Sequence, residues 1–266
     1  MSKNTKLTVW LVIVGILSGI FWWDAKIWLQ GSLFDAGNYR PSLVGAIVVL
    51  AGIIGAGYII FQEYLNSIIP GILIGVGYIV FFGVNPVNLI TAAIVLLLFF
   101  HAHANVAEEL SQRTKINAKM ALKRAVSPIL LAIFLLMSFG AYQSPAIKSF
   151  DNLKQLPTST EQMIRSVVEA VVGPQIENQG ASQADMDQIF KRVTREVLGQ
   201  LNTLAGPYLV YAPPVIAFGL FITLWSLMWL FALLSRLVGM AVFYIWKRVG
   251  WFRIEEKDVK AETLIV

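Results

Sequence analysis

The side chains most able to do chemistry in this sequence form a short polar cluster at the end of a long apolar stretch. His101, Asn105 and Glu108 are spaced so that a helix would place all three on one face. His103 would lie about 200° around that helix from His101, so the two imidazoles could not bind one metal ion. Imidazole titrates near neutrality and could serve a divalent cation or a proton relay. We therefore predict a candidate site at His101, Asn105 and Glu108; an interfacial histidine pair leading into a solvated helix is the alternative.

The sequence lacks the motifs of most other catalytic and cofactor-binding sites. It contains no cysteine, which excludes disulfides, thiolate nucleophiles and Cys-based zinc or iron–sulfur sites. Its glycines lie in apolar runs rather than in phosphate-binding loops, and no His-Glu-x-x-His motif occurs. Trp225 and Trp229, one helical turn apart, could stack on a ligand, although packed or lipid-facing aromatics are the alternative. We expect no cofactor, and a role outside enzyme catalysis is favoured.

The composition places these residues in a membrane protein. Apolar residues make up 57% of the chain and charged residues 14%, whereas a soluble domain carries about a quarter charged residues. Between Leu43 and His101 the only charged side chain is Glu63. The net charge of +5 lies beside hydrophobic runs, which favours anionic lipid headgroups over nucleic acid as the partner. The predicted fold class is an all-α, polytopic transmembrane helical bundle.

About six spans are predicted, because about 20 apolar residues are needed to cross a bilayer. No span has an ionisable residue at its centre. Arg236 is predicted to mark the inner interface, which leaves open whether residues 237–246 are interfacial or continue a span. The candidate spans are Leu7–Trp23, Leu43–Gln62, Ile68–Val84, Val87–His101, Val126–Tyr142 and Pro213–Ser235.

The spans divide the chain into six predicted segments, and the positive charge of the short loops gives their orientation. Both termini are predicted to be cytoplasmic, in the cell membrane. Five basic side chains in one cytoplasmic loop are expected to contact anionic headgroups: Arg113, Lys115, Lys119, Lys123 and Arg124. The segments are a four-span bundle (1–103), a cytoplasmic helical extension that ends before Pro128 (104–125), a fifth span (126–143), an extracytoplasmic helical hairpin (144–206), a sixth span (207–235), and an interfacial segment with a cytoplasmic tail (236–266).

The predicted hairpin consists of two amphipathic helices. Thr158-Ser159-Thr160-Glu161 is a capping box, and an apolar stripe from Met163 to Val172 follows it. A second cap at Ser182 precedes another single-sided stripe from Met186 to Leu201. Two such helices are too small to bury much core of their own. We expect the hairpin to pack on the membrane domain, on lipid or on a protein partner.

Small and aromatic residues predict how the spans pack and where they meet the interface. Small residues four apart let two helix backbones approach closely, either within the bundle or at a seam between two copies. Tryptophans near span ends anchor helices at the membrane interface. The predicted packing residues are Gly15, Gly19, Ala51, Gly55, Gly71 and Gly75, and the predicted anchors are Trp22, Trp23, Trp246 and Trp251.

The C-terminal half has a distinctive order of elements. A proline-flanked entry at Pro207 and Pro213 precedes an aromatic-rich span and the basic exit Trp246-Lys247-Arg248-Val249-Gly250. The tail continues as Phe252-Arg253-Ile254-Glu255-Glu256. In this order the C-terminal half resembles uncharacterised bacterial multi-pass membrane proteins that carry an extracytoplasmic helical pair. The resemblance implies no activity, because none is attached to those proteins.

Three functions are compatible with these patterns. Amphipathic elements on both sides of the membrane favour a non-enzymatic scaffold or complex subunit, with a protein partner or a second copy as its ligand. The glycine-rich N-terminal spans would also suit a channel or a small-solute or lipid permease. A membrane-embedded enzyme is the third hypothesis, and it would need His101 and Glu108 to face a cavity. The sequence leaves substrate, partner and oligomeric state open.

Overall fold

The computed structural model describes residues 2–31, 40–112, 116–148, 189–200 and 211–252, together with 164, 167, 203 and 254. These residues are helical apart from short connections and contain no strand, so the predicted all-α class is confirmed. A helical segment at 189–200 lies between α6 and α7. The helices are α1 (Lys3–Gln30), α2 (Pro41–Ile60), α3 (Tyr64–Phe82), α4 (Pro86–Ser111), α5 (Ala118–Tyr142), α6 (Pro145–Lys148), α7 (Ala212–Ser226) and α8 (Met228–Arg248).

Five of these helices are long and apolar enough to cross a membrane: α1, α2, α4, α5 and α8. Helix α7 and the Ile68–Phe82 part of α3 are equally apolar but shorter. The chain is therefore a helical membrane protein. Five long helices and two shorter ones take the place of the six predicted spans.

The boundary between the fourth and fifth spans differs from the prediction. Helix α4 does continue past His101, but it ends at Ser111, and α5 begins at Ala118 instead of near Pro128. The side chain of Asn117 caps α5 by accepting a hydrogen bond from the backbone N–H of Met120 at 3.2 Å. An asparagine N-cap satisfies a backbone donor that the helix leaves unpaired, so it starts a new helix. The predicted cytoplasmic extension (104–125) and fifth span (126–143) are therefore replaced by the end of α4 at Ser111 and by α5, which begins at Ala118.

The C-terminal segments also change. The prediction placed a sixth span at 207–235 and an interfacial segment after it, whereas the helix break lies at Leu227. Helix α8 then runs without interruption through Arg236 to Arg248. The interior of α8 contains no proline, so nothing stops the helix at Arg236.

The N-terminal four helices do not form a bundle of their own. Residues 1–144 and 217–266 make one compact unit, in which α5 packs along α4 and α8 packs along α2. The predicted four-span bundle at 1–103 is therefore part of a larger one. Lys6 donates a hydrogen bond to the backbone oxygen of Trp251 at 2.7 Å, so the start of α1 and the region after α8 share one end. We call this end the basic end and the other, which holds Asp24, the Asp24 end.

The second compact unit comprises residues 145–216. Helical residues 189–200 present Val193 and Val197 of the predicted second stripe on their less exposed face, together with Thr194, and charged residues on the other. Ile189, another member of that stripe, is 37% exposed. The capping box at 158–161, most of the first stripe and the cap at Ser182 lie outside the described residues. The hairpin as a whole stays a prediction.

Most of the predicted packing residues lie at helix contacts. A Cβ added to Gly15 would lie 3.9 Å from Leu73, whereas one added to Gly19 would meet no atom within 4 Å. Gly19 is therefore not at a close helix contact. The four that are buried or face a neighbouring helix closely are Ala51, Gly55, Gly71 and Gly75.

The closest approach of two helices is between α2 and α8, at Gly52 and Gly239. A Cβ added to Gly52 would lie 2.7 Å from the backbone oxygen of Ser235 and 3.0 Å from the backbone nitrogen of Gly239. A Cβ added to Gly239 would lie 3.0 Å from the backbone oxygen of Gly52. The two backbones are thus in direct contact, which only glycine permits at these positions.

Gly52→Ala should lower the free energy of unfolding by about 1–3 kcal/mol, because the added methyl group collides with backbone that cannot move alone. The matched control is Gly45→Ala in the same helix, where an added Cβ meets nothing within 4 Å. That change should be neutral or slightly stabilising, because alanine is the better helix former. Titration of the purified protein from mild detergent into a denaturing one, followed by loss of helical circular dichroism, measures both. Equal losses would contradict the contact.

Candidate functional site

The predicted cluster on α4 is only partly assembled. The His101 Nε2 and Asn105 Nδ2 atoms lie 3.1 Å apart, which confirms that these two side chains share a face. The Glu108 carboxylate instead accepts a hydrogen bond from Gln112 Nε2 at 2.9 Å and lies 3.8 Å from an Arg124 nitrogen. Within the described part of the chain, no group of three His, Asp or Glu side chains could hold a metal ion. A metal or proton-relay role for the three residues stays a prediction.

His103 faces the opposite way, as its position on the helix requires. Its ring is fully buried in the bundle and meets the ring of Tyr58 edge-on, with centroids 5.3 Å apart and planes at 89°. The backbone of Phe61 lies beside it. His103 therefore packs at the junction of α2 and α4, and it does not join His101 in a common site.

A buried polar cluster at the Asp24 end was not foreseen from the sequence. The fully buried Asn88 accepts a hydrogen bond from the Tyr78 hydroxyl at 2.7 Å and donates to the Gly83 carbonyl at 2.8 Å. Gln143, at the end of α5, donates to Asn88 and accepts a hydrogen bond from Asn85 at 2.8 Å. Gly83 has a φ of 88°, a conformation that favours glycine and ends α3 here.

This cluster ties the α3–α4 turn to the end of α5. Amides and a phenol provide neither a nucleophile nor a general base at neutral pH, and each main polar atom already has a partner, so the cluster is a structural clamp. The sequence signal that could have located it is Asn85 before Pro86, the pattern of an N-cap followed by proline at the first helical position.

At the basic end, an ion pair joins α4 to α5. The Arg124 Nε donates to the Glu109 carboxylate at 2.9 Å, and the Glu109 side chain is only 3% exposed. Arg124 was predicted to contact lipid headgroups, but its guanidinium is directed at a buried carboxylate. Lys119 and Lys123 are exposed and remain candidates for headgroup contact. The other two predicted contacts, Arg113 and Lys115, lie outside the described residues.

A second ion pair links α1 to the start of α3. Glu63 accepts a hydrogen bond from Lys3, and the hydrogen bond and positive charge of Lys3 hold the pKa of the Glu63 carboxyl below its usual value. Asn66 adds a longer hydrogen bond of 3.3 Å to the same carboxylate. Both side chains are well exposed, so the pair is a surface interaction at the basic end.

The Lys3–Glu63 pair should make stability pH-dependent. A pKa lowered by folding contributes stability that is present above the pKa of the unfolded carboxyl and is lost as the pH falls through the folded value. Glu63→Gln should therefore be slightly less stable than the wild type at neutral pH and equally stable in acid. Added salt should shrink the neutral difference. Thermal unfolding in detergent across a pH series measures this; a difference that did not change with pH would contradict it.

Arg236 is placed very differently from the prediction. It lies near the middle of α8, one of the five long apolar helices, and not at the end of a span. Its side chain is half-buried, and its Nε donates to the Ala232 carbonyl of the preceding turn at 2.8 Å. Arg236 thus lies well inside a helix that is long and apolar enough to cross a membrane, which disagrees with the expectation that no span carries an ionisable residue at its centre.

The predicted anchors divide into two kinds. Trp22 is fully buried and donates its indole N–H to the Ile74 carbonyl at 2.9 Å, so it is a core residue instead of an interface anchor. Trp23 is 63% exposed. Trp246 and Trp251 stack on each other with ring centroids 4.9 Å apart and remain partly exposed. An anchoring role for these last three stays a prediction.

The polar side chains of the described bundle thus serve mainly as caps, clamps and ion pairs between helices. The exception is Arg236, a cation within an apolar helix. Comparisons with protein-family models, with curated proteins and with solved structures find no match to the chain.

Proposed function

We propose that this chain is a non-enzymatic scaffold or complex subunit of the cell membrane, with both termini in the cytoplasm. The observation that carries the proposal is the way the bundle uses its polar groups. Hydrogen bonds join Tyr78, Asn88 and Gln143, and an ion pair joins Glu109 to Arg124. Both groups hold neighbouring helices together. Side chains committed in this way are not free for catalysis.

The packing of the bundle supports a scaffold over the channel or permease alternative. Large side chains such as Trp10, Trp22 and Phe99 are fully buried between the helices. Several glycines of the N-terminal spans, among them Gly55 and Gly71, lie at helix contacts, and at Gly52 the two backbones touch. Close helix crossings filled with aromatic side chains are typical of a rigid bundle.

The distribution of charge supports the proposed orientation. Lys3, Lys247 and Arg248 lie at the basic end, and positive charge in short connections marks the cytoplasmic side. At the Asp24 end, Arg40 is neutralised by Asp24 at 2.8 Å. With this orientation the 145–216 unit is extracytoplasmic, and the resemblance of the C-terminal half to bacterial multi-pass proteins predicts the same arrangement.

The partner-binding surface proposed outside the membrane is the charged face of residues 189–200. Lys191, Arg192, Arg195 and Glu196 line a shallow depression there. These side chains are exposed, and a cluster with excess positive charge suits an acidic protein surface. Electrostatic complementarity of this kind selects partners by charge and accelerates their encounter.

The experiment compares the full-length chain with a Lys191→Glu/Arg192→Glu/Arg195→Glu variant after mild extraction from native membranes. A scaffold should elute with a stoichiometric second chain that the variant loses. The matched control is Lys119→Glu/Lys123→Glu, which alters exposed lysines of the bundle and should retain that chain. Elution of the wild type alone, or solute flux through liposomes that contain only this protein, would contradict the proposal.

A further inference from the structure

The residue that the proposed scaffold leaves unexplained is Arg236. Its guanidinium is half-buried, and within the described part of the chain its polar contact is the Ala232 carbonyl of its own helix. That bond uses one of the five donor N–H groups of an arginine. Leu233 and Leu237, on either side of it, are 45% and 57% exposed, so this flank of α8 faces outward.

The depth of Arg236 follows from the contact between α8 and α2. The backbone oxygen of its neighbour Ser235 faces Gly52, which lies near the middle of α2. Helix α2 is itself a candidate membrane span. Arg40, just before it, pairs with Asp24 at the Asp24 end, and Glu63, just after it, pairs with Lys3 at the basic end. Arg236 is therefore near the middle of the membrane rather than at a headgroup layer. A charged side chain at that depth is costly and usually pairs with an opposite charge or with backbone carbonyls, and the Ala232 carbonyl engages only one of the N–H groups of Arg236.

The bundle does not supply that opposite charge from its described residues. Its acidic side chains are engaged nearer the helix ends: Asp24 with Arg40, Glu63 with Lys3, and Glu108 and Glu109 with Arg124. A second copy of the bundle would bring the same side chains at the same depths. Phosphate groups of lipids lie at the membrane surface, well away from the middle of α2.

We propose that Arg236 pairs with an aspartate or glutamate in a transmembrane helix of a partner protein, which packs along the Leu233 and Leu237 flank of α8. This inference rests on the proposed scaffold function and names the chemistry of its partner inside the membrane. A carboxylate at matching depth neutralises the guanidinium and accepts hydrogen bonds from its remaining N–H groups. Arginine suits this role because its planar donors match a carboxylate with two parallel hydrogen bonds.

The isolated chain provides the first test. If Arg236 serves a partner, Arg236→Leu in the purified full-length protein should leave the unfolding temperature unchanged or raise it, because an unpaired charge is removed from an apolar helix. The matched control is Arg40→Leu, which breaks the pair with Asp24 and should lower the unfolding temperature. A fall for Arg236→Leu as large as that of the control would overturn the proposal in favour of a structural role.

The second test is photo-crosslinking in native membranes with a diazirine side chain at position 237. The expected adduct is a chain with an acidic residue in the middle of a span. Arg236→Leu should reduce the adduct about tenfold or more, because truncating one member of a buried charge pair speeds dissociation, whereas Arg236→Lys should retain it. An acidic residue at position 236, or a basic residue in place of the partner's carboxylate, should abolish the adduct. The two changes together exchange the charges and should restore it.

Four outcomes of the crosslinking experiment would overturn the inference: adducts only to lipid, adducts only to a second copy, an adduct chain without a membrane carboxylate, or an adduct insensitive to Arg236→Leu. The scaffold function has a separate readout, which is the co-eluting second chain that the Lys191→Glu/Arg192→Glu/Arg195→Glu variant should lose. That chain could still bind the Arg236→Leu variant and fail to crosslink at position 237. This result would support the scaffold function and contradict the pairing of Arg236 with a partner. If neither experiment recovers a chain, both fall.

Discussion

Trp22→Ala should lower the free energy of unfolding by about 3 kcal/mol, the low end of the range for removal of a buried tryptophan. Trp22 is fully buried, and its indole N–H donates to the Ile74 carbonyl of α3 at 2.9 Å. Its ring packs into a notch at Gly77, where an added Cβ would lie 2.6 Å from Trp22 Cδ1. Alanine would leave a void there that neither lipid nor a neighbouring side chain could fill.

The value is at the low end because the bilayer is itself apolar. In a soluble protein, part of the cost of such a change is lost transfer of apolar surface from water. Between helices in a membrane, the remaining contributions are packing and the hydrogen bond. Titration of the purified protein into a denaturing detergent, followed by circular dichroism, gives the change in free energy.

The adjacent residue is the matched control for this prediction. Trp23 is 63% exposed and meets the ring of Phe81 at a centroid distance of 6.3 Å. Trp23→Ala should change stability by less than about 0.5 kcal/mol, as is usual for surface positions. Equal effects of the two changes, or a larger effect at position 23, would show that Trp22 does not hold α1 against α3.

Trp10 shows that the arrangement at Trp22 is a recurring way of packing α1. It donates to the Ile53 carbonyl of α2 at 3.2 Å, and its ring fills the space where a Cβ at Gly57 would lie. Each tryptophan thus pairs with a glycine on the neighbouring helix. The sequence contains both partners, but only the three-dimensional approach of the helices shows which glycine receives which indole.

The fold class was predictable because it depends on composition. Long apolar runs with few charges require helices in a membrane, and the positions of α1, α2, α4 and α5 follow from where those runs occur. Periodicity also located the helical segment at 189–200, whose apolar residues share one face. These features follow from local sequence and need no knowledge of which helices touch.

The helix boundaries were harder to predict because competing signals had to be weighed. Asn117 starts α5, but the absence of glycine and proline from 104–125 suggested one continuous helix. The prediction ends the span at Arg236 because one straight helix from Pro213 to Trp246 would be about 50 Å long, far more than the bilayer thickness. In the structure the helix breaks at Leu227, where no charge, glycine or proline marks the position.

Of the contacts of the candidate residues, the sequence predicted those within one helix but not those between helices. The face shared by His101 and Asn105 follows from helical spacing, and the structure has the two side chains 3.1 Å apart. Glu108 lies on the same helix, but Gln112 and Arg124 hold its carboxylate. Arg124 comes from the next helix, and its approach depends on how α5 packs on α4.

Arg124→Met should lower the free energy of unfolding by about 3 kcal/mol, the lower end of the cost of breaking a buried ion pair. The Glu109 side chain is 3% exposed, and its carboxylate receives the Arg124 Nε at 2.9 Å. Removal of the guanidinium leaves a buried negative charge without this partner. Methionine has about the length of the arginine stem without the guanidinium, so it keeps the packing of the stem and the effect reports mainly the charge.

The matched control replaces the other carboxylate near Arg124. Glu108 is 54% exposed and lies 3.8 Å from the guanidinium, so Glu108→Gln should cost less than about 1 kcal/mol. The double change Arg124→Met/Glu109→Met should recover most of the stability lost in Arg124→Met, because the buried carboxylate of Glu109 is then gone as well. Detergent titrations of all four proteins complete the test. If the double variant were no more stable than Arg124→Met, the stability lost in Arg124→Met would come from packing around Arg124 and not from the buried Glu109 carboxylate.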